Sequence, residues 1–160
     1  MLKNPRISPR RLLTGGAVAA VLGAVALTPS AGQAAAKTQT LRFFSQQVSF
    51  TYTAADGTVT PGPPAGDPKP GDVFEVDSLD FRGDHRRHAK RATASDYLRC
   101  TFQAAGEPDC FSYAAIGGSL LRFHGDKVLG GTGRFRGATG TVANTEVEGG
   151  LDSVVRLRLP

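Results

Sequence analysis

With 160 residues and two cysteines, the chain is long enough for one domain around one hydrophobic core and too short for two. Its formal charge of +5 is unevenly placed: residues 1–36 hold four Lys/Arg and no Asp/Glu, which leaves 15 basic residues against 14 acidic ones in residues 37–160. That near balance removes the charge argument for a nucleic-acid partner, and none is expected.

Lys3, Arg6, Arg10 and Arg11 precede an uncharged apolar run from Leu12 to Leu27, and Pro29, Ser30, Gly32 and Ala34-Ala35-Ala36 follow it. A basic stretch, a short apolar stretch and then small residues form the pattern of a cleaved signal peptide. The run is rich in Gly and Ala and falls short of the roughly 20 strongly apolar residues that a spanning helix needs. A retained anchor is therefore disfavoured, and no stable membrane span is expected. Arg10-Arg11 before Leu12-Leu13 also resembles a twin-arginine signal, with Pro9 departing from the usual pattern, so the export route stays open. Residues 37–160 are then one secreted domain. In an exported protein the even pair Cys100 and Cys110 is most simply a disulfide. Across so short a loop it contributes on the order of 2–3 kcal/mol.

Past residue 36 almost nothing has helical period. Thr40 to Thr53 is dense in aromatic and β-branched residues, with Arg42, Gln46 and Gln47 suited to a half-buried strand. The segment from Asp56 to Asp72 holds five of the ten prolines and reads as a long surface loop. Val73 to Arg82 alternates, with Val73, Glu75, Asp77 and Leu79 on one side and Phe74, Val76, Ser78 and Asp80 on the other. A basic loop from Gly83 to Ser95 follows. Tyr97–Gln103, Phe111–Ile116 and Leu120–His124 are short strand candidates separated by glycine turns. Thr139–Glu148 and Asp152–Leu159 form a last hairpin joined at Gly149-Gly150. Seven or eight strands with glycine turns and no helices indicate a sandwich or a closed barrel.

The run VLGGTGRFRGATGTV, Val128 to Val142, holds five glycines. A dinucleotide-binding loop needs G-x-G-x-x-G between a strand and a helix. Here Gly131, Gly133 and Gly137 are spaced one residue too far, and the β-branched residues that follow are not helical. A Walker A loop needs a Gly-Lys-Ser/Thr ending, which is absent from the run. The glycines instead allow tight bends at a barrel corner, with Phe135 plugging the core.

LGGTGRFRGATGTV resembles the signature of the allene oxide cyclase and dirigent-protein superfamily, which links two strands of an eight-stranded antiparallel barrel. GDVFEVDSLDF is similar to that family's Gly-Asp-x-Phe strand, YLRCTF to its cysteine-bearing strand, and GGSLLRFHG to the strand before the signature. The resemblance covers residues 38–160. It implies an all-β barrel with an apolar cavity open at one end and no metal or organic cofactor. It also implies assembly as dimers or trimers. The family's common physical contribution is to hold a flexible apolar substrate in one reactive conformer. The plant cyclase carries a glutamate and an asparagine on its first strand, where FFSQQVSF offers Gln46 and Gln47. Cys100, the counterpart of the cyclase cysteine, is expected to be tied to Cys110. Both departures argue against allene oxide cyclisation itself.

Among candidate site residues, Glu75 and Asp77 face one side together. If inward, they polarise or deprotonate a substrate, and their proximity raises the pKa of one; if outward, they are a solvated edge, since Phe74 and Val76 are the more apolar pair. Asp80 falls on the apolar face, as a lone carboxylate near a barrel mouth. Gln46, Tyr52, Tyr97 and Tyr113 are candidate ligand contacts, at least one tyrosine simply completing the core. Arg99 and Arg122 are expected outward, His124 in a solvated turn, and Asp84–Arg91 as a solvated basic loop without the company of a metal site. The expectation is a secreted barrel that binds an apolar small molecule and directs its cyclisation or isomerisation without a cofactor. The competing expectations are a non-catalytic lipocalin-like binder and a structural extracellular protein. Cavity volume and an inward carboxylate of raised pKa discriminate among the three.

Overall fold

Residues 36–104 and 106–160 are described by a computed structural model. The expected leader lies outside the described residues, apart from Ala36. The aromatic and β-branched stretch after it forms β1, Lys37–Thr53, three residues longer at its start than the composition suggests. The proline-rich segment is a loop that carries one short edge strand, β2, Val59–Pro61. Pro61 is tolerated there because an edge strand leaves one side of its backbone unpaired. The alternating segment is β3, Val73–Asp84, and a two-residue strand, β4, Arg87–His88, folds back on its end. Then come β5, Ala94–Phe102, β6, Pro108–Ile116, and β7, Ser119–His124. The last three strands are β8, Lys127–Gly131, β9, Thr139–Val147, and β10, Gly150–Leu159.

All pairings are antiparallel, and the order β1-β10-β9-β8-β7-β6-β5-β3 closes on itself where β3 pairs with β1. Closure is possible because β1 is long enough to serve two neighbours. Lys37–Ser45 pairs with β10, while Phe43–Thr53 pairs with β3. The result is a closed eight-stranded barrel with no α-helix among the described residues. Closure removes the unpaired edges that would otherwise template association.

The glycine run divides its work. Its start is β8, a strand that the density of glycine concealed, and Gly133–Phe135 makes a single 3-10 turn before β9. Gly131 has no room for a side chain: a Cβ there would sit 2.1 Å from the Leu120 carbonyl oxygen. Gly133 has φ of 54°, and a Cβ would meet Ser119 Oγ at 2.4 Å. Both positions require glycine for close approach to β7 and for the bend. The turn delivers Phe135, fully buried, into a cluster with Leu121, Phe123, Val128, Ala138, Val155 and Leu157. This cluster is the barrel's packed core, and Phe123 and Val155 also reach the cavity wall. Arg134 lies over the Phe135 ring, 4.7 Å from its centroid.

Candidate functional site

The inward faces of the strands line an open-mouthed cavity of about 630 Å³. That volume lies within the ~300–1,000 Å³ range of small-molecule sites. Strand alternation decides what reaches it. On β3 the residues Phe74, Val76, Ser78 and Asp80 face inward, on β5 Asp96 and Leu98, and on β6 Cys110, Ser112, Ala114 and Ile116. On β1 a register shift between Gln47 and Ser49 reverses the alternation. Phe43, Ser45 and Gln47 face inward before it and Phe50 after it, while Val48 is exposed. Such a bulge re-aims side chains without breaking the strand.

Two carboxylates face this interior, whose wall mixes phenylalanine and aliphatic side chains with Ser45, Gln47, Ser78 and Ser112. Asp80 is 4% exposed, accepts a 2.6 Å hydrogen bond from the Ser45 hydroxyl, and is pushed above the usual carboxylate range by burial. Asp96 is its diagonal neighbour on the adjacent strand, because Ser78 pairs with Asp96 while Asp80 pairs with Ala94. Such neighbours lie about 7–8 Å apart along the backbone. Burial first, and then the Asp80 charge, raise Asp96 to about 6, with Ser78 partly offsetting them. Asp96 Oδ1 is buried without a hydrogen-bond partner among the described residues. A buried acceptor without a partner loses its hydration and regains nothing, so it is a place where a ligand's polar group is favoured. A carboxyl group that titrates near 6 can both give and take a proton close to neutral pH.

The other candidates lie elsewhere. Glu75 and Asp77 point out of the barrel, as the solvated-edge alternative has it. Glu75 accepts hydrogen bonds from the Tyr97 hydroxyl and from Arg99 Nη1, the latter at 2.7 Å, and these partners hold its carboxyl below the usual range. Asp77 accepts a 2.6 Å bond from Ser49. Tyr97 is therefore engaged outside the barrel, and Tyr113 is exposed on the outer face of β6. Gln46 faces out where its neighbour Gln47 lines the cavity. Tyr52 is buried, but its hydroxyl donates to Asp72, which pushes the phenol up to about 12. Asp72 also accepts the amides of Ala55 at 2.8 Å and Lys69 at 2.6 Å, so this cluster pins the ends of the proline-rich loop.

Cys100 and Cys110 face each other across β5 and β6 and are disulfide-bonded, with Cys110 in the cavity wall. His124 bonds Asp109 at 2.5 Å and stacks on Phe111 on the outside. His85 pairs with Asp152, and His88 packs against Phe44 and Phe81. No group of three or more His, Cys, Asp or Glu suited to a metal occurs among the described residues, and no helix there is long and apolar enough to cross a membrane.

Asp96 has a signal in the sequence that alternation could have exposed. In SDYLRCTF, Asp96, Leu98 and Cys100 share a face, so an inward Cys100 carries Asp96 inward with it.

No family model and no curated protein matches the chain. Among solved structures it is similar to pyocyanin demethylase, with a TM-score of 0.55 at 14% identity, over 76% of this chain and 99% of that one. The likeness is one of fold. A pterocarpan synthase dirigent protein also matches, with a TM-score of 0.48 at 19% identity over 78% of this chain and 84% of that one. At 14% identity the likeness to the demethylase shows the fold alone, and chemistry has to be argued from the cavity.

Proposed function

We propose that the barrel binds an apolar small molecule and moves a proton on it, in an isomerisation or ring closure directed by Asp96 with Asp80 beside it. The observation that carries this reading is the pair of carboxyl groups, Asp80 buried and Asp96 half-buried with a pKa raised to about 6, in the wall of a 630 Å³ cavity. The Asp96 carboxylate takes a proton from a carbon of the substrate. The resulting carboxylic acid returns it to a second carbon of the same conjugated system, which restores the carboxylate and leaves the substrate isomerised. The cavity wall supplies the second requirement by restricting a flexible molecule to the conformer in which the reacting atoms meet. No cofactor is needed for either step.

Of the carboxylates singled out from the sequence, this reading keeps Asp80, and it assigns to Asp96 the role considered for Glu75 and Asp77. Ligand contact passes from Gln46, Tyr97 and Tyr113 to Gln47 and the inward phenylalanines. The similarity of the signature around Gly131 to the allene oxide cyclase and dirigent superfamily supports it. So does a fold shared with a protein whose name reports the transformation of a small molecule. We also place the protein outside the cytoplasm, as a single secreted domain over residues 37–160. The disulfide is compatible with an oxidising space.

The test is to release whatever copurifies with the protein, identify it by mass spectrometry, and incubate it with fresh protein in deuterium oxide. Deuterium appearing on a carbon of the ligand, and its loss in the doubly substituted Asp80→Asn/Asp96→Asn protein, is the expected result. Binding with no incorporation above the buffer blank overturns the catalytic reading in favour of a non-catalytic binder.

A further inference from the structure

The cavity's charges all have one sign. Asp80 and Asp96 line its interior, and Glu146, exposed on β9, stands at its rim. Among the described residues, the lining holds no lysine, arginine or histidine. The cations of the strands are on the other surface: Arg99 pairs with Glu75 outside, and Arg122 and Arg156, between inward neighbours on β7 and β10, are exposed. A wall of low dielectric holding carboxylates without counter-charges focuses a negative potential into the space it encloses. Four phenylalanines, Phe43, Phe50, Phe74 and Phe123, line the same space, and the faces of such rings attract cations. The acceptor Asp96 Oδ1, buried and without a partner, completes a site built for a donor that carries positive charge.

We propose that the ligand of this barrel is an apolar organic cation, a hydrophobic molecule with one protonated amine or other ammonium centre, held with its charge against Asp80 and Asp96 and its apolar body among the phenylalanines. The inference rests on the cavity-binding reading above and narrows it to a chemical class. A neutral ligand of equal size leaves two carboxylates desolvated with no opposite charge. An anionic one adds a like charge to them, which is more unfavourable still. The cation alone relieves the desolvation of both groups.

The groups that face Asp96 set the pH dependence. Asp80 on β3 is beside it, Asp77 acts on it from the outer side of β3, Ser78 stands across the strand pair, and Glu146 stands at the rim. All the charges among them are negative, so lowering the pH through about 6 neutralises Asp96 and weakens the hold on a cation.

Three probes of one shape separate the outcomes: 4-phenylbutylamine, 4-phenylbutan-1-ol and 4-phenylbutanoate, titrated into the full chain by calorimetry at pH 7.5 and at pH 5. The amine is expected to bind at pH 7.5 about tenfold more tightly than the alcohol, and the carboxylate more weakly than either. The preference for the amine should shrink at pH 5 and fall to near unity in the Asp80→Asn/Asp96→Asn protein, with circular dichroism confirming that the barrel is folded. An amine that binds no more tightly than the alcohol, or a preference unchanged by the double substitution, overturns this inference and leaves apolar binding in the cavity standing. Binding of none of the three overturns both.

Discussion

Strands β3 and β5 present the same chemistry to two environments with opposite results. On their outer face Glu75 sits with Tyr97 and Arg99, and hydrogen bonds to those partners hold its carboxyl down. On their inner face Asp80 and Asp96 meet no cation, and burial pushes both up. Alternate residues of one strand pair thus carry carboxyl groups whose pKa values move in opposite directions. The outer group is a structural acid that stays charged. The inner pair is poised for exchange, and its energetic burden is borne by the rest of the barrel. A carboxylate in a strand is not informative by its spacing alone; the side of the sheet it occupies decides what it can do.

The sharpest way to break this contrast is to substitute one residue from each face. Asp96→Asn should lower deuterium incorporation into the bound ligand by about 100-fold or more, the usual scale of general acid–base catalysis. Glu75→Gln should leave it within about twofold. Similar losses from both, measured by mass spectrometry over time, would erase the functional distinction between the faces.

The next largest effect is on stability against pH. The folded pKa of Asp96 is raised, so its stabilising contribution is fully present below the ordinary value of 3.8 and is lost as pH rises through about 6. Glu75 has the opposite sign: its folded pKa is lowered, so its contribution is present above the ordinary value of 4.5 and disappears as pH falls. Urea unfolding of the parent and Asp96→Asn proteins should diverge between pH 4 and 7. The variant should gain on the order of 3 kcal/mol relative to the parent by pH 7. Parallel curves would mean that Asp96 is not desolvated.

The smallest effect belongs to the outer pair. The Arg99 side chain is 53% exposed. Removing it by Arg99→Ala should lower stability by less than about 1 kcal/mol, with the difference shrinking further in high salt. A larger loss, insensitive to salt, would show that the outer cluster carries more of the barrel than its exposure implies.

Much of the architecture was legible along the chain. The alternation in Val73–Arg82, the glycine turns and the final hairpin led to an all-β sandwich or closed barrel, because period-two patterning and turn chemistry are local properties, and the resemblance of the glycine signature chose the barrel. Within the site, only Asp80 was legible as an inward carboxylate, from the apolar company of Phe74 and Val76 on its face. Three things were hidden. β8 was masked by the glycines that it uses to pack against β7. Gln47 and Phe50 exchange phase across the bulge, and a register shift leaves no mark in composition. Asp96 follows the inward Cys100, but whether that cysteine faces in depends on its partner strand.

The sequence by itself determined which segments extend, where they turn, and that a buried phenylalanine sits at the glycine corner, since each depends on neighbours within a few residues. Only the tertiary structure decided which face of each strand became the interior. It alone brought Asp80 and Asp96 side by side in a space without counter-charge. The reason is physical: the direction of a side chain is fixed when the sheet closes, and the energy of a charge is set by the groups that closure gathers round it.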